Sequence, residues 1–242
     1  HPPEHPQELP MILSHDWRFI FLKTEKTGST AVEMALAGFC GPLDIVTPIH
    51  ATDESVRLRD GIAARNFITL ESAFEPEADL EAQEARLKSK GYPMRQRSFF
   101  YNHMPAAQIR QHAGARIFDS YFKFAVERDP REKLISYYFW LGKQREQSFA
   151  EFVASFEPTP NWQRYTIDGR LAVDRLIRYD RLEEGLREVL APLGIAWPGQ
   201  MMRPKSGFRP PEATVASLFN AKLTRLVEQR FARDFEFYAM AT

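Results

Sequence analysis

The chain lacks most of the features that would place it at once. It has one cysteine among 242 residues, so neither an internal disulfide nor a cysteine-rich zinc cluster is available, which fits a reducing compartment such as the cytoplasm. Cys40 itself reads as a small apolar packing residue. Long apolar runs are missing too. Phe19 to Leu22, and Leu134 to Leu141 with Ser136 inside it, fall far below the ~18 residues that a membrane helix needs. The opening HPPEHPQELP has neither a basic nor an apolar stretch and does not read as a secretory signal, although an anchor removed upstream would leave no trace. Neither sign of charge is in excess, with 32 basic residues against 32 acidic ones. A global field of the kind carried by proteins that coat nucleic acid polymers or lie on membranes is therefore absent. Any anion bound here must meet a local site.

What is present is a globular composition, 44% apolar and 26% charged, long enough for one sizeable core. One domain is expected over residues 1–242, with an irregular segment over 1–16 and a variable insertion over 51–97. Arg18 to Lys23 (RFIFLK) predicts a buried strand, and after the turn TEKTGS, Thr30 to Phe39 predicts a helix that stops near Gly38 and Gly41. Leu43 to Val46 reads as a short strand, and Pro76 to Lys90 as a solvated helix within the insertion. Ser98 to Tyr101 predicts a strand, followed by a helix opening near Pro105 and closed by Gly114. Tyr121 to Val126 is the second strong buried strand, leading into a helix over Arg131 to Gly142. Ala172 to Arg178 predicts a weaker strand, Leu182 to Leu193 an amphipathic helix, and Val215 to Phe231 one long helix. Strands alternating with helices imply an α/β fold of three layers, a parallel sheet flanked by helices.

Two strand-loop-helix units carry chemistry. In the first, Lys23-Thr-Glu-Lys-Thr-Gly-Ser-Thr30 offers the open N–H groups and positive dipole end of a helix start to an anion. Lys26 adds a mobile charge, Gly28 lets the backbone come close, and Thr27, Ser29 and Thr30 add hydroxyls. A plain capped helix accounts for the same residues, and the GxxxxGK[ST] pattern of nucleotide triphosphatases is not met. In the second, Arg128-Asp-Pro-Arg-Glu-Lys-Leu-Ile-Ser136 follows a buried strand, with Pro130 suited to a first helical turn and Arg128 where open sheets place ligands. Here a local Arg128 ion pair and a packed Ser136 are the plainer alternative.

Together the two units resemble the signatures of sulfotransferases that use 3′-phosphoadenosine 5′-phosphosulfate (PAPS), in particular the carbohydrate-type branch related to heparan sulfate 2-O-sulfotransferase. In that family a strand ending in PKTxxT(S) cradles the 5′-phosphosulfate and RDPxxxxxS holds the 3′-phosphate. This chain reads EKTGST, with Glu25 in place of the proline, and its second signature is complete from Arg128 to Ser136. Phe99-Phe-Tyr-Asn-His103-Met-Pro resembles the family's histidine-bearing segment, VDRLIRYDRLEE its later conserved stretch, and Arg203-Pro-Lys205-Ser206-Gly207 its basic loop over the nucleotide.

The resemblance implies a single-domain, P-loop-like nucleotide-binding architecture and transfer of a sulfuryl group from PAPS to a hydroxyl acceptor, a glycan or glycolipid, leaving 3′,5′-diphosphoadenosine. It further implies that Lys26 meets the leaving group, that Lys26, Thr27, Gly28, Ser29 and Thr30 hold the phosphosulfate, and that Arg128 and Ser136 hold the 3′-phosphate. Lys205 and Ser206 would close the pocket. His103 is the expected general base, with a local capping or packing role as its alternative and Glu33 as a fallback base. No metal ligand set is expected. Trp140, Trp162 and Tyr165 suit either a sugar or the core. Arg57, Arg59, Arg65, Arg95 and Arg97 suit either an acidic glycan or a mixed solvated surface. Two rival readings stand beside this one: a nucleoside or sugar kinase with Glu127 or Asp129 on Mg²⁺, and a non-catalytic nucleotide-binding protein.

Overall fold

A computed structural model describes residues 11–49, 51–69, 97–98, 100, 103–197, 199 and 207–242. The helix expected over 76–90, Phe99 and Tyr101 of the expected Ser98 to Tyr101 strand, and Lys205 and Ser206 lie outside these residues. In chain order the strands are β1 (Ile12–Ser14), β2 (Phe19–Leu22), β3 (Ile45–Val46), β4 (Ile68–Thr69), β5 (Arg97–Ser98), β6 (Phe122–Glu127), β7 (Thr166–Ile167), β8 (Arg170–Leu171) and β9 (Arg175–Arg178). The α-helices are α1 (Ser29–Ala37), α2 (Ala51–Arg59), α3 (Ala106–Ala113), α4 (Ala115–Ser120), α5 (Pro130–Trp140), α6 (Phe149–Ser155), α7 (Trp162–Tyr165), α8 (Leu182–Leu190), α9 (Val215–Leu218), α10 (Ala221–Arg230) and α11 (Ala232–Met240). Among the described residues no helix is long and apolar enough to cross a membrane.

The central sheet is five-stranded in the order β3-β1-β2-β6-β9. Strands β2, β6 and β9 pair in parallel, with Phe21 opposite Phe124 and Val126 opposite Ile177. The sheet is not wholly parallel, contrary to expectation, because β1 runs against both β2 and β3. Only His15 to Arg18 separate β1 from β2, enough for a hairpin but short of the roughly one dozen residues that a parallel crossover requires. Helices cover both faces. Strand alternation sends Phe19, Phe21, Phe124, Val126 and Ile177 toward a core shared with Val32 and Leu36 of α1 and Leu186 and Val189 of α8. The opposite set, Ile20, Leu22, Ala125 and Leu176, packs with Ile109 of α3, Tyr165 of α7 and Phe237 of α11. A third cluster joins α5 to α6 and α10 through Leu134, Tyr138, Phe152 and Val227. Each such fully buried side chain contributes about 1.5 to 3 kcal/mol.

Local chemistry explains where elements start. Asp129 caps α5 by accepting from the Arg131 N–H, and Pro130 takes the first turn, where its missing N–H costs nothing. The long helix expected over Val215 to Phe231 is two helices. Asn220 accepts the Leu223 N–H at 2.9 Å and opens α10 as a new cap, so the chain bends between α9 and α10. The expected irregular insertion begins with the ordered helix α2, whose Arg57 is fully buried and not on a solvated surface.

Gly185 of α8 lies against β9 so closely that an added Cβ would stand 2.4 Å from Cγ2 of Ile177. On an exposed helix Gly→Ala gains about 1 kcal/mol. Here Gly185→Ala is expected to lower stability, by up to about 2 kcal/mol, because a branched, buried strand residue cannot step aside. Thermal denaturation decides the sign: a raised melting temperature would mean that α8 is free to lift off β9.

Candidate functional site

The loops that leave the C-terminal ends of β2, β6 and β9 gather at one edge of the sheet, the place where open α/β sheets bind ligands. Between β2 and α1 the backbone turns through two left-handed residues, Lys26 (φ 60°) and Gly28 (φ 68°). Such turns aim successive N–H groups into an anion-sized concavity. Among the described residues, the N–H groups of Thr27, Gly28, Ser29 and Thr30 donate to no protein acceptor, and α1 has no side-chain cap. Glycine is required at position 28 by its φ and by Tyr179, whose Cε2 would lie 2.9 Å from an added Cβ.

The hydroxyls serve a different purpose from the one expected. Ser29 Oγ donates to the Thr24 carbonyl at 2.6 Å, Thr27 Oγ1 pairs with Thr24 Oγ1 at 2.9 Å, and Thr30 Oγ1 accepts from Lys23 Nζ at 3.1 Å. These side chains build the turn, and the donors it presents are backbone N–H groups. Lys26 Nζ lies 4.2 Å above the Trp140 ring and 5.5 Å from that of Tyr137, so α5 carries its charge by cation–π contact.

Arg128 ties the second unit to the first. Its Nη1 donates to the Lys26 carbonyl at 3.1 Å, its Nη2 to Glu132 Oε2 at 2.8 Å, and its guanidinium stacks 4.5 Å over Tyr179. Arg128 Nε is buried with no hydrogen-bond partner. Glu132 also accepts both terminal nitrogens of Arg209. Against the burial that would raise it, the guanidinium groups of Arg209 and Arg128 hold the Glu132 carboxyl below its usual range. Glu132, Ser136 and Trp140 recur every four residues and share one face of α5, so half-buried Ser136 sits between the Arg128 end and the Lys26 end.

His103 is 3% exposed, in left-handed backbone at φ 51°. Its Nδ1 lies 2.8 Å from the Lys23 carbonyl, which can only accept, so Nδ1 carries the proton. Nε2 is left as a buried lone pair with no partner. Burial, then the charges of Lys23 and Arg164, hold the imidazole well below its usual range and keep it neutral. It does not cap α3, whose N-cap is Pro105 without a side-chain bond.

Beneath the turn, buried Glu33 receives Lys23 at 3.2 Å and Arg57 at 3.3 Å. Burial pushes its carboxyl up to about 7 against the pull of both cations. The carboxylates a kinase would place on Mg²⁺ are already committed. Glu127 accepts from Lys133, Asn161 and Tyr165, and Asp129 from the side chain and N–H of Arg131. Among the described residues, no group of three or more His, Cys, Asp or Glu side chains is placed to hold a metal ion. Trp162 stacks on Phe237 under Arg233, and Tyr165 is fully buried, so both belong to the core. Cys40 is half-buried and its thiol is pushed up to about 12, chiefly by burial, in keeping with a packing role.

Residues that sequence reasoning passed over complete the site. Asn161 holds Glu25 at both ends of its backbone, accepting its N–H at 2.8 Å and donating to its carbonyl at 3.0 Å. The Glu25 carboxylate accepts from Arg164 at 2.8 Å and from the Tyr137 hydroxyl at 2.6 Å. Glu25 thus acts as a tether for the turn. The signal for Asn161 and Arg164 was faint, one polar NWQRY stretch behind a proline pair, whereas Arg209 adjoins the basic loop already singled out.

The chain is similar to an uncharacterized protein of Archaeoglobus fulgidus, 36% identical over 100 residues that span 38% of this chain and 83% of that protein. The two belong to one family. No family model and no solved structure matches the chain.

The buried histidine and Glu33 make opposite contributions to stability. For His103, held below its ordinary value, the unfolded chain binds the extra proton, so its contribution is complete above about pH 6.5 and is lost on acidification. For Glu33, held above its ordinary value, the folded chain binds the extra proton, and that contribution is lost as pH rises toward about 7. Comparing His103→Gln with wild type isolates the first: between about pH 6.5 and pH 5 the melting temperature of the variant should fall less steeply. Equal slopes would put the folded histidine at its ordinary value.

Proposed function

We propose that the chain is a PAPS-dependent sulfotransferase acting on a hydroxyl of a carbohydrate acceptor, a glycan or glycolipid. The observation that carries this reading is the contact of Arg128 with the Lys26 carbonyl, which makes the anion-binding turn and the start of α5 one continuous surface. A nucleotide with phosphate groups at both its 5′ and 3′ positions needs two such neighbouring cradles. In this P-loop-like arrangement, the N–H groups of Thr27 to Thr30 hold the 5′-phosphosulfate, and Arg128 with Ser136 holds the 3′-phosphate. Lys205 and Ser206 close the pocket on the strength of the resemblance, and Arg209, bonded to the same carboxylate as Arg128, extends that basic wall.

PAPS supplies an activated sulfuryl group. As the acceptor oxygen bonds to sulfur, the bond from sulfur to the 5′-phosphate oxygen breaks and the acceptor's proton passes to His103 Nε2. The Lys23 carbonyl fixes the tautomer that leaves this nitrogen basic. Lys26 and the turn's N–H groups stabilise the charge that develops on the leaving phosphate, and the remainder of the work is positioning. The kinase reading loses ground because Glu127 and Asp129 are occupied by protein donors.

Arg128→Ala is expected to weaken 3′,5′-diphosphoadenosine by about ten- to 150-fold, the size of one charged hydrogen bond, while barely changing AMP. Calorimetry with both nucleotides in chelator tests this, and equal losses would make Arg128 a support of the fold only. Lys26→Ala should lower kcat more than it raises the KM for PAPS, as befits a group acting on the transition state. A change confined to KM would assign Lys26 to ground-state binding and overturn its role.

A further inference from the structure

Arg164 touches neither the anion-binding turn's open N–H groups nor the basic nitrogen of His103, yet it bonds to both segments that carry them. Its Nη1 donates to the His103 carbonyl at 2.7 Å and its Nη2 to Glu25 Oε1 at 2.8 Å. We propose that Arg164 is a positioning residue that fixes the imidazole of His103 relative to the phosphate-binding turn and keeps it in its basic form. The inference rests on the reading of His103 as general base.

Two bonds join the histidine's segment to the turn. The ring meets the Lys23 carbonyl, and the peptide meets Glu25 through Arg164. The second is needed because non-glycine residues hold left-handed backbone only when surrounding contacts impose it, and His103 has φ 51°. Glu25 is a firm anchor, since Asn161 fixes its backbone and Tyr137 its other carboxylate oxygen. The Arg164 side chain is 17% exposed, so its charge acts on its neighbours with little screening by water. The charged groups that act on the ring are Lys23 and Arg164, both cationic, with Glu25 bonded to Arg164. Both disfavour the imidazolium, which leaves the nitrogen free to accept a proton. A planar fork with two separated donors suits this double contact, and a lysine ammonium cannot span it in the same way.

The test compares Arg164→Gln and Arg164→Lys with wild type in three measurements: the His103 ring titration by NMR, assigned with His103→Gln; calorimetric affinity for 3′,5′-diphosphoadenosine; and kcat against pH. Removing the charge favours imidazolium, so Arg164→Gln should raise the ring's midpoint by about half to one pH unit. The acid limb of kcat should move up with it. At neutral pH kcat should fall about 10²-fold through misplacement, with nucleotide affinity within about threefold of wild type. Arg164→Lys should restore the midpoint but little of kcat. An unchanged midpoint in Arg164→Gln, or a kcat loss matched by equal losses of affinity and melting temperature, would overturn the proposal. Should wild type transfer no sulfuryl group, the functional reading fails while the midpoint still tests the coupling. Should wild type be active and Arg164→Gln match it in midpoint and kcat, the coupling alone fails.

Discussion

Asn161 grips the backbone of Glu25 on both sides, and most of the site depends on that grip. The residue that follows, Lys26, has left-handed backbone, a conformation that costs a non-glycine residue about 1 to 3 kcal/mol unless neighbours enforce it. The same amide donates to Glu127 at the end of β6, and Thr24 donates to the Val126 carbonyl, so the turn is sewn to the neighbouring strand as well as to the loop before α7. Asn161 is 1% exposed. Its partners cannot be traded for water, which makes the turn's shape a property of the fold and not of a ligand.

Two buried charge networks flank that turn. Lys23 lies beneath it, bonded to Thr30 in the first turn of α1 and to Glu33 one turn on, with Arg57 of α2 closing the set. On the other side Lys133 of α5 bridges Glu127 and Asp234, and against the burial that opposes it these carboxylates hold its ammonium above the usual range. Buried ions contribute little net stability, but breaking one pair strands a charge at a cost of about 3 to 5 kcal/mol. Their effect is to fix α1, α2, α5 and α11 in register around the turn.

The hydrophobic strands were the most legible part of the sequence. RFIFLK and YFKFAV are short apolar runs between turns, and β2 and β6 fall within a residue of each. The reversed β1 was not legible, because a strand of three residues gives no direction and only the length of the hairpin sets it. The split of α9 from α10 turned on Asn220, a cap hidden inside an apolar period that otherwise runs on. The SFAE capping box of α6 and the Asp168-Gly169 turn between β7 and β8 were readable signals that went unread. At the site, spacing marked Lys26, Gly28 and Arg128 because a loop motif is local. Asn161, Arg164 and Arg209 are brought by tertiary packing to site partners 34 or more positions away, and no local pattern announces them. Burial was the other hidden quantity: Arg57 looks like any surface arginine until α2 folds it onto Glu33.

The central claim is that two adjacent anion cradles and a neutral buried histidine serve sulfuryl transfer to a hydroxyl. The most direct measurement is a screen of carbohydrate hydroxyl acceptors with PAPS labelled in its sulfuryl group, run in chelator. The account predicts that label appears on at least one acceptor, with 3′,5′-diphosphoadenosine formed in equal amount. Label released only as inorganic sulfate, or phosphoryl transfer from a nucleoside triphosphate that requires Mg²⁺, would contradict it.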